Sequence, residues 1–61
     1  MDRNGLLEAL KRLDWSQAEL GRRLGVHVNT VSAWATGRVA VPAYVVEYLR
    51  VMVLAREILG K

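Results

Sequence analysis

The chain of 61 residues has no cysteine, a single histidine and a single proline. Without cysteine there is neither a disulfide nor a thiolate metal site, and one imidazole cannot hold a metal alone. No run of 18 apolar residues occurs, because the apolar stretch after Pro42 is interrupted by Glu47, Arg50, Arg56 and Glu57. A membrane span is therefore excluded. The start carries Asp2 and lacks the apolar core of a signal peptide, so a cytoplasmic protein is expected. Catalytic constellations are missing too. There is no second histidine, no nucleophile set beside a base and no glycine-rich phosphate loop between a strand and a helix. So short a chain builds no substrate pocket; neither an enzyme nor a small-molecule substrate or cofactor is expected.

What is present is apolar and mildly basic. The hydrophobic fraction is 52%, too high for a disordered tail, and the formal net charge is +3. That charge suits a polyanionic partner, though it is also within ordinary surface bias. Residues 1–61 form one small domain, without linker, repeat or low-complexity segment. A chain of this size buries only about 60% of its unfolded surface, so close helix packing or association must stabilise it.

Periodicity and end signals place four helices, at about 3–13, 17–24, 28–36 and 43–59: an all-α, compact bundle of four helices. In the first, Leu6, Leu10 and Leu13 form an apolar stripe with Leu7 alongside, and Asp2 or Asn4 caps the start. Gly5 weakens its first turn. Ser16 opens the second helix with Glu19 three residues on, the capping-box spacing, while Trp15 and Leu20 have the spacing of a hydrophobic staple. Leu20 and Leu24 point inward, and Arg22 and Arg23 outward. Gly25 stands where a helix wants a left-handed residue. Gly21, in mid-helix, is explained by a close crossing of the second and third helices at that point. In the third helix Val31 and Trp34 face the core, while Val28, Asn29, Ser32 and Ala33 take the open side. His27 is a poorer cap than Ser16. Pro42 suits the start of a last helix of about 17 residues, on the order of 25 Å long.

Two short helices, one tight glycine turn and a supporting helix on either side have the layout of a helix-turn-helix. The stretch SQAELGRRLGVHVNTVSAWATGR resembles the lambda-repressor-like family, the Cro/repressor-type or XRE-type helix-turn-helix domains. The likeness covers roughly residues 4–50 and rests on SQAEL, the turn glycine, V-S-x-W and T-G-R. It implies a helical DNA-binding domain that regulates transcription, usually as a dimer on a palindromic operator, lying on the nucleoid when bound.

Carried onto this chain, the resemblance implies base contacts from Val28, Asn29, Ser32, Ala33 and His27. It implies phosphate contacts from Gln17 and Arg38; by position Thr30, Thr36 and Arg22 are further candidates, Thr30 with packing on its own helix and Arg22 with plain solvation as the alternatives. The chemistry is consistent: a helix N-terminus at Gln17 favours phosphate. Asn29 can pair with adenine N6 and N7, and Val28 and Ala33 can touch thymine methyls. The chain also departs from its family. The third helix carries no Lys or Arg, Ala33 is short, and VAVP replaces a loop that is often basic. With about three phosphates per subunit the salt slope would be near −3, shallow enough to require two subunits. The uncharged third helix also admits a different function, a helix-turn-helix adaptor that binds protein and reads little or no DNA.

The last helix is too apolar for a small bundle. One stripe of a little over 100° suffices for packing, yet nearly everything outside Glu47, Arg50 and Glu57 is apolar. The surplus predicts a homodimer contact through the C-terminal part of 43–59, formed by Tyr48, Val51, Leu54, Ala55, Ile58 and Leu59.

Overall fold

The computed structural model describes residues 1–60 and contains four helices: α1 (Arg3–Leu13), α2 (Gln17–Leu24), α3 (Val28–Ala35) and α4 (Ala43–Leu59). The all-α bundle expected from the periodicity is the observed fold, with one boundary moved. Thr36 is the C-cap of α3 rather than its last residue.

Local chemistry explains where each helix begins. Asp2 caps α1, its carboxylate accepting from the Gly5 amide at 2.8 Å. Ser16 caps α2, its hydroxyl accepting from the Glu19 amide at 3.0 Å. The capping box is only half made, because the Glu19 carboxylate turns outward to Arg22 (2.7 Å) and Arg23 (2.8 Å). Two guanidinium partners outcompete one backbone amide for the same oxygens. Pro42 precedes α4 without any side-chain cap.

The core is one cluster built from all four helices. Leu6, Ala9, Leu10 and Leu13 come from α1, Leu20 from α2, Val31, Trp34 and Ala35 from α3, and Val45 and Leu49 from α4. α2 packs chiefly on α3, and α1 bridges α3 and α4. Gly21 shows why the α2–α3 turn is so close. A Cβ at this position would stand 2.8 Å from the Val26 carbonyl oxygen, and the Val26 amide donates to the Gly21 carbonyl at 2.9 Å. The glycine thus clears the turn itself, which corrects the expectation of a crossing between the bodies of the two helices. Gly25 then reverses the chain at φ 75°, a left-handed conformation that costs other L-residues about 1–2 kcal/mol.

α4 is fastened to α1 at its far end. Arg12 pairs with Glu57 at 3.1 Å, and the Arg56 guanidinium donates to the Leu13 carbonyl at 2.8 Å. Trp15, in the α1–α2 connection, lies between Arg23, 4.1 Å above its ring, and Tyr48, at a centroid separation of 6.1 Å. This cation–aromatic–aromatic column ties α2 to α4.

Candidate nucleic-acid interface

α2 and α3 are joined by a turn of three residues and share a core, so the inner face of α3 is fixed and its outer face open. Val31 and Trp34 point inward and are buried, as their spacing requires. Val28, Asn29 and Thr30 are exposed in the first turn, and Ser32 is half-buried. This first turn is the end that a helix-turn-helix inserts into the major groove.

Its cap is unusual. The His27 Nδ1 accepts from the Asn29 amide at 3.0 Å, and the His27 carbonyl receives the Thr30 amide at 2.9 Å. An accepting Nδ1 carries no proton, so in this bond the ring's hydrogen is on Nε2. The poor cap expected at His27 is therefore a working one. Asn29 gives its amide to that cap, while its side-chain carboxamide makes no hydrogen bond among the described residues.

Ala33 requires a correction. Placed by periodicity on the open side, it is 9% exposed and cannot offer its methyl to a base. The chain turns back over the end of α3, where the Ala33 carbonyl accepts from the Arg38 amide (3.0 Å), the Val39 amide (3.2 Å) and the Thr36 hydroxyl (3.2 Å). A side chain of one carbon is also easily buried by neighbours outside its own helix, which periodicity alone does not register. Of the residues expected to contact bases, Val28, Asn29 and His27 are exposed and Ser32 is half-buried.

The expected phosphate contacts fall into two groups. Gln17 opens α2, where helix geometry leaves its own amide and that of Ala18 without an intrahelical acceptor. Thr30 and Arg38 are exposed, and Arg38 has no carboxylate within ion-pair distance among the described residues. Arg22 and Thr36 are already committed, the one to Glu19 and the other to the Ala33 carbonyl. Arg23, read from the sequence as simply outward-pointing, is held by Glu19 and the Trp15 ring. The Arg22 hydrogen bond, opposed next by desolvation and then helped by the charges of Arg22 and Arg23, keeps the Glu19 carboxyl below its ordinary pKa.

One cation near this surface was not anticipated. The Arg3 stem passes 3.4 Å from where a Cβ on Gly37 would stand, so it lies beside the T-G-R turn that carries Arg38. Like Arg38, it has no carboxylate partner among the described residues. The available signal was a basic residue in a first turn, where the helix dipole disfavours it.

On α4 the expected surplus of apolar surface is present. Val51 (61%), Leu54 (57%) and Ile58 (65%) are exposed, and Leu59 more so, while Tyr48 and Ala55 are half-buried. Tyr48 is drawn inward by Trp15, and Tyr44, at the start of the same side of α4, is exposed. Among the described residues no helix is long and apolar enough to cross a membrane, and no cluster of side chains has the makings of a metal site.

The four-helix fold with a two-helix reading unit at its centre defines a helix-turn-helix domain. A helix-turn-helix family model matches residues 6–47, and the chain belongs to this family, the XRE or lambda-repressor-like helix-turn-helix domains. It is a family of DNA-binding transcription regulators, generally without enzymatic activity. No curated protein and no solved structure matches the chain.

Proposed function

We propose that the protein is a sequence-specific double-stranded DNA-binding regulator of transcription, a repressor acting as a homodimer on a palindromic operator. Asn29 carries this reading: an exposed carboxamide without a protein partner, on a rigidly docked first turn, suited to adenine N6 and N7. Val28 adds an apolar contact for a thymine methyl, and Gln17 and Arg38 hold phosphates on either side. No cation stands on α3, so each subunit binds weakly and two are needed. The exposed apolar residues of α4 supply the second subunit's contact, and the working compartment is the cytoplasm.

Selection of binding sites from random duplexes by the purified protein, followed by titration in increasing salt, tests the proposal. A reproducible palindrome is expected. Asn29→Ala should then weaken binding to it by about 1–3 kcal/mol and relax preference at one base pair per half-site. Arg38→Ala should weaken all sequences alike. Equal loss on selected and random DNA for Asn29→Ala would remove its readout role. The uncharged α3 favours one other reading, an adaptor for another protein. Absence of DNA binding even at low salt would support it.

A further inference from the structure

The exposed apolar residues of α4 are not scattered. Tyr44, Val51 and Ile58 recur at intervals of seven, with Leu54 three after Val51, which is the a/d spacing of a coiled-coil seam. Glu47 occupies the remaining d position. The buried residues Val45 and Leu49 lie on the far side of the helix, so the seam faces away from the core. Arg50 and Glu57 precede Val51 and Ile58 and fill both g positions, along the open groove between α1 and α4. Tyr48 and Ala55 fill the e positions on the opposite flank.

We infer that two copies of the chain pair through an antiparallel α4–α4 seam, with Arg50 of each subunit facing the partner's Glu57. The inference rests on the dimeric reading above and specifies its geometry. In an antiparallel pair each a residue meets a d residue, so Val51 packs on the partner's Leu54 and the two-fold axis crosses α4 level with Met52 and Val53. Residues at g then face g, which sets arginine opposite glutamate twice. On the other flank the small Ala55 faces the partner's Tyr48, whose ring is turned inward onto its own Trp15. The parallel alternative brings Glu47 against the partner's Glu47 and sets Arg50 and Glu57 beside uncharged e residues. Charge selects the antiparallel order.

The occupant of the surface is therefore a second copy of this chain, because the pattern is complementary to itself. Arg50 and Glu57 now make local pairs, with Glu47 at 3.2 Å and Arg12 at 3.1 Å. Each keeps a free edge, since all four side chains are more than half exposed. In the same register Ile58 meets the partner's Glu47 at each end of the seam, where that carboxylate keeps its own Arg50 at 3.2 Å.

Sedimentation equilibrium at micromolar concentration on charge-swapped variants tests this. Arg50→Glu or Glu57→Arg alone should weaken self-association about tenfold, since two symmetry-related attractions become repulsions. Arg50→Glu with Glu57→Arg should restore it to within about twofold, and Arg12→Ala should leave it within about twofold. Far-UV circular dichroism checks that each variant keeps its helices. Because the chain has no cysteine, orientation can be read directly. A mixture of Val51→Cys and Leu54→Cys proteins should form the mixed disulfide in preference to either homodisulfide. A dimer that ignores the charge swaps, or in which Val51→Cys links mainly to itself, overturns the antiparallel pairing and leaves the dimeric regulator standing. A wild-type monomer overturns both.

Discussion

α2 and α3 are both eight residues long and pack on each other, yet different interactions hold them. α2 is secured from within, by the Ser16 cap, the left-handed Gly25 and a carboxylate shared by two arginines. α3 has no charged residue in either end turn, a histidine for a cap, and four of its eight residues buried. Its order comes from tertiary packing around Val31 and Trp34. The division suits a reading head: a helix stabilised from behind needs no polar interaction on its front, so Val28 and Asn29 remain free for another molecule. The charges on α2, by contrast, are largely spent inside the protein.

Substitutions can break this contrast in order of size. Trp34→Ala removes the anchor of α3 and should cost about 3–5 kcal/mol, enough to unfold much of so small a domain; thermal denaturation followed by circular dichroism reads it. A loss under 1 kcal/mol would mean that α3 holds itself. Gly21→Ala comes next. Alanine favours a helix by about 1 kcal/mol over glycine, but its Cβ would meet the Val26 carbonyl at 2.8 Å, so a net loss of about 1–3 kcal/mol is expected. Unchanged or raised stability would show that the turn yields freely.

The caps give a finer comparison. Ser16→Ala should cost about 1 kcal/mol, whereas His27→Ser should be neutral or stabilising by up to about 0.5 kcal/mol, since serine is the better cap. Should His27→Ser keep full stability and lose affinity for a selected operator, the ring contacts DNA in addition to capping. The smallest effect is electrostatic. The folded-state pKa of Glu19 lies below its ordinary value, chiefly through the Arg22 hydrogen bond. The stabilisation is therefore present above the unfolded-state pKa and fades as pH falls through the folded one. Glu19→Gln should flatten the acid limb of the stability profile slightly; an unchanged slope would show the ion pairs to be inert.

The helix-turn-helix was legible in the sequence because its constraints are local. A cap at Ser16, glycines at 21 and 25, and inward residues at Leu20, Leu24, Val31 and Trp34 each bear on a few neighbouring positions. What escaped depends on segments that meet in space. Ala33 is buried by neighbours in space that no helical wheel records. Glu19 had three candidate partners within four residues, and only geometry chose Arg22 and Arg23 over the Ser16 amide. The role of Arg23 over Trp15 and the place of Arg3 beside Gly37 are likewise tertiary. On the candidate surface, Asn29 and Val28 were correctly placed as open, while Ala33 was not.

The column of Arg23, Trp15 and Tyr48 also makes the protein report on itself optically. Trp34 is enclosed in the core and Trp15 is half-buried at the junction of α2 and α4, so the two indoles emit from different surroundings. Tyr48, 6.1 Å from Trp15, is close enough to pass its excitation to that indole. Loss of tyrosine-sensitised emission would signal α4 leaving α2, and a red shift from Trp34 the opening of the core. In Trp15→Phe and Trp34→Phe proteins the two events can be timed separately, without any attached dye.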